Sequence, residues 1–327
     1  MIYHYLLWTL GVFSADTFMG RLGIYGVSIF YILSGLTLYH VYFDKMTFSI
    51  GELMSFFRKR IFRIFPLLWL TTIVAIVLSK KTPDFTDLFL NLSGLFGFVK
   101  WDTYFSTGVW SIGNELVFYV FFPFFVFFTK RIRPLMLLLS LILFGIFLYF
   151  TFFVFTTTSP LSDQWSNYIN PLNQVFLFLG GFLIGFFLQK VKLTNALAVT
   201  LLLASLTLFV FYPATGDVIR IVTGMNRLLF TTCCFLICIG FYKATIHVPA
   251  GIHTPLSLLG EASYSIYLLH PIVYNLVRFI SKNLIPMPDV IRLAIAIIST
   301  LLLSYFVYQH FEKFFMKWGR SKRAVPA

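Results

Sequence analysis

The sequence predicts an all-α polytopic membrane protein, a bundle of about ten transmembrane helices, and three observations carry that reading. The composition is 59% hydrophobic and only 11% charged, too little polar surface to wrap a soluble core. Apolar runs recur along the chain at the length a helix needs, ~20 residues for ~30 Å of hydrocarbon, with short polar breaks between them. Lysine and arginine are unequally shared between alternate breaks, sixteen of the 25 on one side and nine on the other, the bias by which a membrane chain sets its orientation.

The runs are residues 1–13, 24–43, 61–79, 109–128, 134–155, 172–188, 194–212, 224–242, 258–279 and 290–311. No break can hold a second domain, so 1–311 is read as a single membrane domain, followed by a basic cytoplasmic tail, 312–327. The first run is short for a span and has no basic flank, so its helix is expected to be truncated at its N-terminus, its beginning lying upstream of Met1. The same missing flank argues against a signal peptide. The second run carries Gly26 to Gly35. The third leaves a basic stretch, Arg58 to Arg63, and continues through Pro66 and Trp69. The fourth opens on Trp110 and Ser111 and ends at Lys130 and Arg131, with Arg133 and Pro134 starting the fifth. Ser159-Pro160 closes the fifth, Lys190 and Lys192 divide the sixth from the seventh, and Tyr212-Pro213 closes the seventh. The eighth holds Cys233, Cys234 and Cys238, whose spacing suits neither a disulfide nor a zinc site, so they are read as packing residues and no metal is implied. The ninth carries Ser263, Tyr267 and His270, and Pro286 and Pro288 precede the tenth.

The basic side comprises Lys45, Arg58, Lys59, Arg60, Arg63, Lys130, Arg131, Arg133, Lys190, Lys192, Lys243, Lys313, Lys317, Arg320, Lys322 and Arg323, whereas Asp16, Asp84, Asp87, Asp102, Asp163, Asp217 and Asp289 all fall opposite. Both termini are therefore expected in the cytoplasm and the chain in the plasma (inner) membrane. The net charge of +13 reflects this topology and anionic membrane lipids as partners; nucleic acid is not an expected one.

Polar groups are costly in a membrane interior, so those kept there are the candidates for function. Arg60 and Arg63 are three apart on one helical face, which fits either anchors reaching the headgroups or a pair of guanidinium forks suited to phosphates. Glu115 is a carboxylate within a span, one turn before Tyr119. It fits neutral helix packing, or one of three functional tasks: orienting a histidine, relaying a proton or holding a substrate hydroxyl. Ser263, Tyr267 and His270 follow i, i+4, i+7 spacing, a polar line that serves either helix association or a site. His4, between two tyrosines, is suited to taking a proton from a hydroxyl or thiol at neutral pH. His40, His247, His253 and His310 fall at or near interfaces and need only wetting.

Four segments, in order along nearly the whole chain, resemble the acyltransferase-3 membrane proteins that acylate, usually acetylate, cell-surface glycans. Gly26 to Ser34-Gly35 is similar to that family's second helix; Arg60 and Arg63 with Pro66 and Trp69 to its Arg-x-x-Arg element; Trp110-Ser111 to Glu115, with Phe118, Tyr119 and Pro123, to its Trp-Ser-x-x-x-Glu segment; and Leu259-Gly260 through Ser263, Tyr264, Tyr267 and Leu268 to His270 to its ninth-helix stretch. The resemblance implies ten helices with cytoplasmic ends, acetyl-CoA or another acyl-CoA taken from the cytoplasm as donor, no permanently bound cofactor, and an acceptor hydroxyl on a polysaccharide or lipid-linked sugar at the far side. It implies His4 as the catalytic histidine; the chemistry of thioester transfer then assigns the donor phosphates to Arg60 and Arg63 and the fixing of the imidazole to Glu115, with Trp110, Ser111, Tyr119, Ser263, Tyr267 and His270 in support. Two departures stand out. The family's arginine some eleven residues before the histidine has no counterpart here, and its closing Glu-Arg-Pro or Glu-Lys-Pro appears here as Glu312-Lys313-Phe314, so no role passes to Glu312. The rival reading is a transporter or flippase of a lipid-linked glycan. An internal inverted repeat would favour it, and none is seen.

The charge bias makes a direct prediction. A cysteine introduced at Arg131 should resist a membrane-impermeant thiol reagent applied to intact cells and react once they are opened; labelling from outside would reverse the orientation.

Overall fold

The computed structural model describes residues 1–320; Lys322, Arg323 and the rest of 321–327 lie outside the described residues. Every regular element among the described residues is helical. The first helices are α1 (Ile2–Leu10), α2 (Phe18–Tyr42), α3 (Ile50–Ser79), α4 (Phe85–Ser93) and α5 (Phe96–Val99). There follow α6 (Val109–Arg131), α7 (Arg133–Tyr149), α8 (Trp165–Tyr168), α9 (Pro171–Leu188) and α10 (Asn195–Phe211). The last are α11 (Gly224–Lys243), α12 (Ala250–Glu261), α13 (Ser263–Asn283), α14 (Asp289–Val307) and α15 (Lys313–Gly319), the final two joined by a π-helical turn, Tyr308–Glu312.

Seven continuous helical stretches are long and apolar enough to cross a membrane, and α10 is a shorter apolar helix. A helix lies over each of the ten apolar runs, with differences at the ends. The third starts at Ile50 rather than 61 because Ser49 caps it, its side chain accepting from the Glu52 amide with Glu52 in the first turn. The basic residues from Arg58 to Arg63 are thereby carried on helix rather than in a loop. The ninth run is divided: α12 has no buried residue, and α13 begins only at Ser263. Residues 313–319, read as tail, are helical. Gly319 lies so close to α3 that a side chain there would meet Phe62 Cβ at 3.0 Å, and Arg58 donates to the Trp318 carbonyl at 2.6 Å.

The chain divides into two compact units. Unit 1 comprises Met1–Leu10, Thr47–Gly113 and the described residues from Val248 onward; unit 2 comprises Gly11–Met46 and Asn114–His247. Within unit 1, α1 is held by an apolar cluster of Tyr5, Val273, Tyr274, Val277 and Ala296, with Met1, Trp8, Leu293 and Ile297 packed on it. This sets α1 against α13 and α14.

In unit 2, α2 and α9 lie backbone to backbone. A Cβ at Gly35 would fall 2.0 Å from the Phe178 carbonyl oxygen, and one at Gly181 would fall 1.9 Å from that of Ile32. Lipid gives apolar side chains no reason to prefer each other over acyl chains, so close approach through small residues is what holds such helices together. Arg21 is the polar counterpart. It is only 2% exposed, yet its guanidinium donates to the Ala15 carbonyl at 2.8 Å and to those of Phe209, Val210 and Tyr212 at 2.9, 2.6 and 2.6 Å. It thus satisfies the last carbonyls of α10, which the helix itself leaves open.

Gly181→Val should therefore overpack this contact at a cost on the order of 3 kcal/mol or more, reducing the folded fraction in detergent size-exclusion and thermal unfolding. Gly145→Val, at a position with no atom within 4 Å of the added Cβ, should unfold as the unaltered protein does.

A candidate active site built on a histidine pair

The site in unit 1 starts from a missing amide hydrogen. Pro271 lies inside α13, and proline cannot donate to the carbonyl four residues back, here that of Tyr267. His270 fills the gap, its Nδ1 lying 2.7 Å from the Tyr267 carbonyl and 3.2 Å from that of Ile266. Both partners can only accept, so Nδ1 carries the hydrogen and Nε2 keeps its lone pair. That Nε2 is 2.8 Å from Nδ1 of His4. The His4 Nδ1 must then be the donor, which leaves Nε2 of His4 as a free basic nitrogen. A neutral imidazole held in one tautomer is the arrangement a general base requires.

The neighbours fix this pair. The two imidazoles lie edge to edge, with ring centroids 5.0 Å apart and planes 3° from parallel, and the Trp8 ring runs nearly parallel to both, at 5.3 and 6.0 Å. Tyr5 donates to the His270 carbonyl at 2.9 Å, so the Thr300 hydroxyl 2.5 Å away donates to the tyrosine oxygen. His270 is completely buried, whereas His4 is half-buried. One turn back on α13, the Tyr267 hydroxyl donates to the Gly108 carbonyl at 2.8 Å, and Ser111 Oγ lies 2.7 Å from that hydroxyl. Gly108 is obligatory here: its φ is +90°, and a Cβ would approach the Tyr267 oxygen to 2.9 Å. Trp110 is buried beside Ser111. Ser263, the first residue of α13, is half-buried.

The arginine pair lies further along unit 1, both side chains half-buried on α3. Arg63 faces the carboxylate of Glu312 closely enough for their charges to interact. Glu312 is 3% exposed and accepts a hydrogen bond from Ser265. Tyr264 donates to the Ile64 carbonyl at 2.7 Å, pinning α13 to α3 in the same region. Trp69 donates from its indole to the Leu92 carbonyl at 2.7 Å.

Glu115 belongs to unit 2. Its Oε1 accepts from Ser34 Oγ at 3.2 Å and from the Tyr119 hydroxyl one turn along α6. Beside it, Asn114 donates to the Tyr31 hydroxyl at 3.2 Å. The structure thus joins His4, Ser111, Tyr267 and His270 within one unit, with His270 at Nδ1 of His4, and holds Glu115 by Ser34 and Tyr119. Tyr5, Trp8, Thr300, Ser34 and Glu312 join the sequence-read residues. Only Ser34 and Glu312 carried a signal, one as half of the Ser34-Gly35 pair, the other as a departure from the motif after the tenth run.

The described residues make an all-helical membrane protein with a histidine pair joining its first and ninth apolar runs. The acyltransferase-3 family model, an acyltransferase domain, matches residues 1–309, and the chain belongs to that family. It is a multi-pass integral membrane enzyme that transfers an acyl group from a donor to an acceptor. No curated protein and no solved structure matches it.

Pro271→Ala supplies the amide hydrogen that Tyr267 lacks and so competes with His270 for its carbonyl. Acyl transfer should fall on the order of tenfold, the rate equivalent of ~1.4 kcal/mol of lost positioning, while the amount of folded protein in the membrane is kept or increased.

Proposed function

We propose that this enzyme moves an acetyl group from cytoplasmic acetyl-CoA to a hydroxyl of a cell-surface or exported polysaccharide, or of a glycolipid sugar, in the plasma membrane with both termini cytoplasmic. The observation that carries the proposal is the 2.8 Å contact between Nδ1 of His4 and Nε2 of His270, which leaves His4 Nε2 as the base. A thioester already has a good leaving group, so the protein needs chiefly to bind the donor, align a hydroxyl and take its proton.

In this reading the acceptor hydroxyl gives its proton to His4 Nε2 as its oxygen attacks the thioester carbonyl. The new C–O bond forms, the C–S bond breaks, and the imidazolium returns the proton to the coenzyme A thiolate. His270 is a positioning residue that fixes the His4 tautomer and steadies the imidazolium. Arg60 and Arg63 are assigned the donor phosphates, for which guanidinium forks suit better than lysine. Glu115, whose Oε1 already holds Ser34 and Tyr119, is assigned an acceptor hydroxyl through Oε2. Trp110, Ser111, Ser263 and Tyr267 are assigned to bracing the histidine site, and Tyr119 to holding Glu115.

The test pairs chemistry with genetics. In purified protein, His4→Ala should lower transfer from acetyl-CoA by about 10²–10⁴-fold. His270→Ala should lower it strongly too, and the double variant should be little worse than the weaker single, since the two act as a unit. Mass spectrometry of the host's surface glycan, with and without the gene, should show acetyl groups lost in its absence. Full activity of His4→Ala, or an unchanged glycan, would overturn the proposal.

A further inference from the structure

At one end of unit 2, the last turns of α2, α6 and α9 and the first turn of α7 surround a cavity of about 600 Å³, within the range that small-molecule sites occupy. Its walls have two characters. Lys130, Arg133 and Lys190 supply three positive charges against the single carboxylate of Asp44, and Phe43, Phe186 and Phe187 supply aromatic surface. All three cations belong to the side that the charge bias assigns to the cytoplasm.

The charges differ in what holds them. Lys130 is committed to the protein: its ammonium donates to the Met46 and Asp44 carbonyls at 3.1 and 3.4 Å and sits 5.1 Å over the Phe43 ring. Arg133 and Lys190 make no hydrogen bond or ion pair with any described residue and are exposed. Two free cations on one cavity favour an anion. The aromatic wall is equally specific: Phe43 and Phe186 have ring centroids 5.8 Å apart, and Phe187 is 54% exposed, so the cavity is open along a hydrocarbon surface. Hydrated ions alone gain nothing from such a wall.

We infer that this cavity binds a phosphate group carried on an apolar or aromatic body, with the phosphate on Arg133 and Lys190, the body against Phe43, Phe186 and Phe187, and Asp44 receiving a hydroxyl of the ligand. Two sources have this chemistry at a cytoplasmic membrane face. One is an anionic phospholipid with a glycerol headgroup; the other is the nucleotide end of an acyl-coenzyme A. The second source rests on the acyl-transfer reading above but takes the donor phosphates from Arg60 and Arg63 to this cavity; the first does not rest on it.

The experiment uses the full-length protein in nanodiscs, unaltered and as R133Q/K190Q, a change at two exposed side chains that breaks no internal bond. In neutral phosphatidylcholine discs, adenosine 3′,5′-bisphosphate is titrated by calorimetry. In discs containing phosphatidylglycerol, the lipid retained after detergent extraction is counted by native mass spectrometry. At least tenfold weaker binding of the bisphosphate, or loss of the retained phosphatidylglycerol, with unchanged thermal unfolding in neutral discs, supports the site and names its source. Equal binding of both probes by the two proteins, or binding of neither by the unaltered one, overturns it. Arg63→Lys in the same titration separates the two readings: weakening there but not in R133Q/K190Q assigns the nucleotide to the arginine pair and removes it from this cavity.

Discussion

Pro271 carries no amide hydrogen, so the Tyr267 carbonyl must find a donor in a medium that supplies no water. A polar group left unsatisfied in hydrocarbon costs several kcal/mol, and the geometry of unit 1 follows from avoiding that cost. His270 turns its Nδ1 inward to the carbonyl, which fixes its tautomer. Its Nε2 can then only accept, so His4 is drawn to it as a donor. Trp8 closes over both rings, and Tyr5 binds the carbonyl of the same histidine. A nine-residue helix with a single buried residue is thus located by these polar bonds as well as by the apolar cluster around Tyr5.

The same rule acts in unit 2 with different residues. Arg21 is buried with no hydrogen bond to a carboxylate and donates to four backbone carbonyls. Arg227, 4% exposed, relies on the Asn173 side chain at 2.5 Å and on the faces of Phe147 and Phe155. Where no such partner is needed, as between Gly35 and Gly181, the backbones close up until carbonyl oxygens occupy the room of a side chain.

What could be read in advance follows from the range of the signal. Apolar runs and the Lys and Arg bias are local or additive, and the helices lie where those signals fall. The line of Ser263, Tyr267 and His270 was legible because i, i+4, i+7 spacing is a property of one helix. The pairing of His4 with His270 was not, since the residues stand 266 apart and no spacing rule links them. Glu312 was given no role because the segment it opens departs from the family's closing motif. Yet Phe311, Phe314, Phe315 and Trp318 recur at helical spacing, with contacts such as Phe311 to Phe315 at 4.9 Å, and that aromatic face continues the helix. Gly35 was visible as part of a family-like segment, while Gly181 was not, because close approach has no meaning until the opposing helix is known.

The direction of the bonds in the histidine pair has a consequence of its own. Hydrogen runs from His4 to His270 and from His270 to a backbone carbonyl, and a peptide oxygen at neutral pH neither keeps a proton nor passes one on. The pair is therefore a terminus and not a wire. Any proton taken up at Nε2 of His4 has to leave by the face at which it arrived, so this part of the membrane domain can run its chemistry without becoming a conduit for the proton gradient around it.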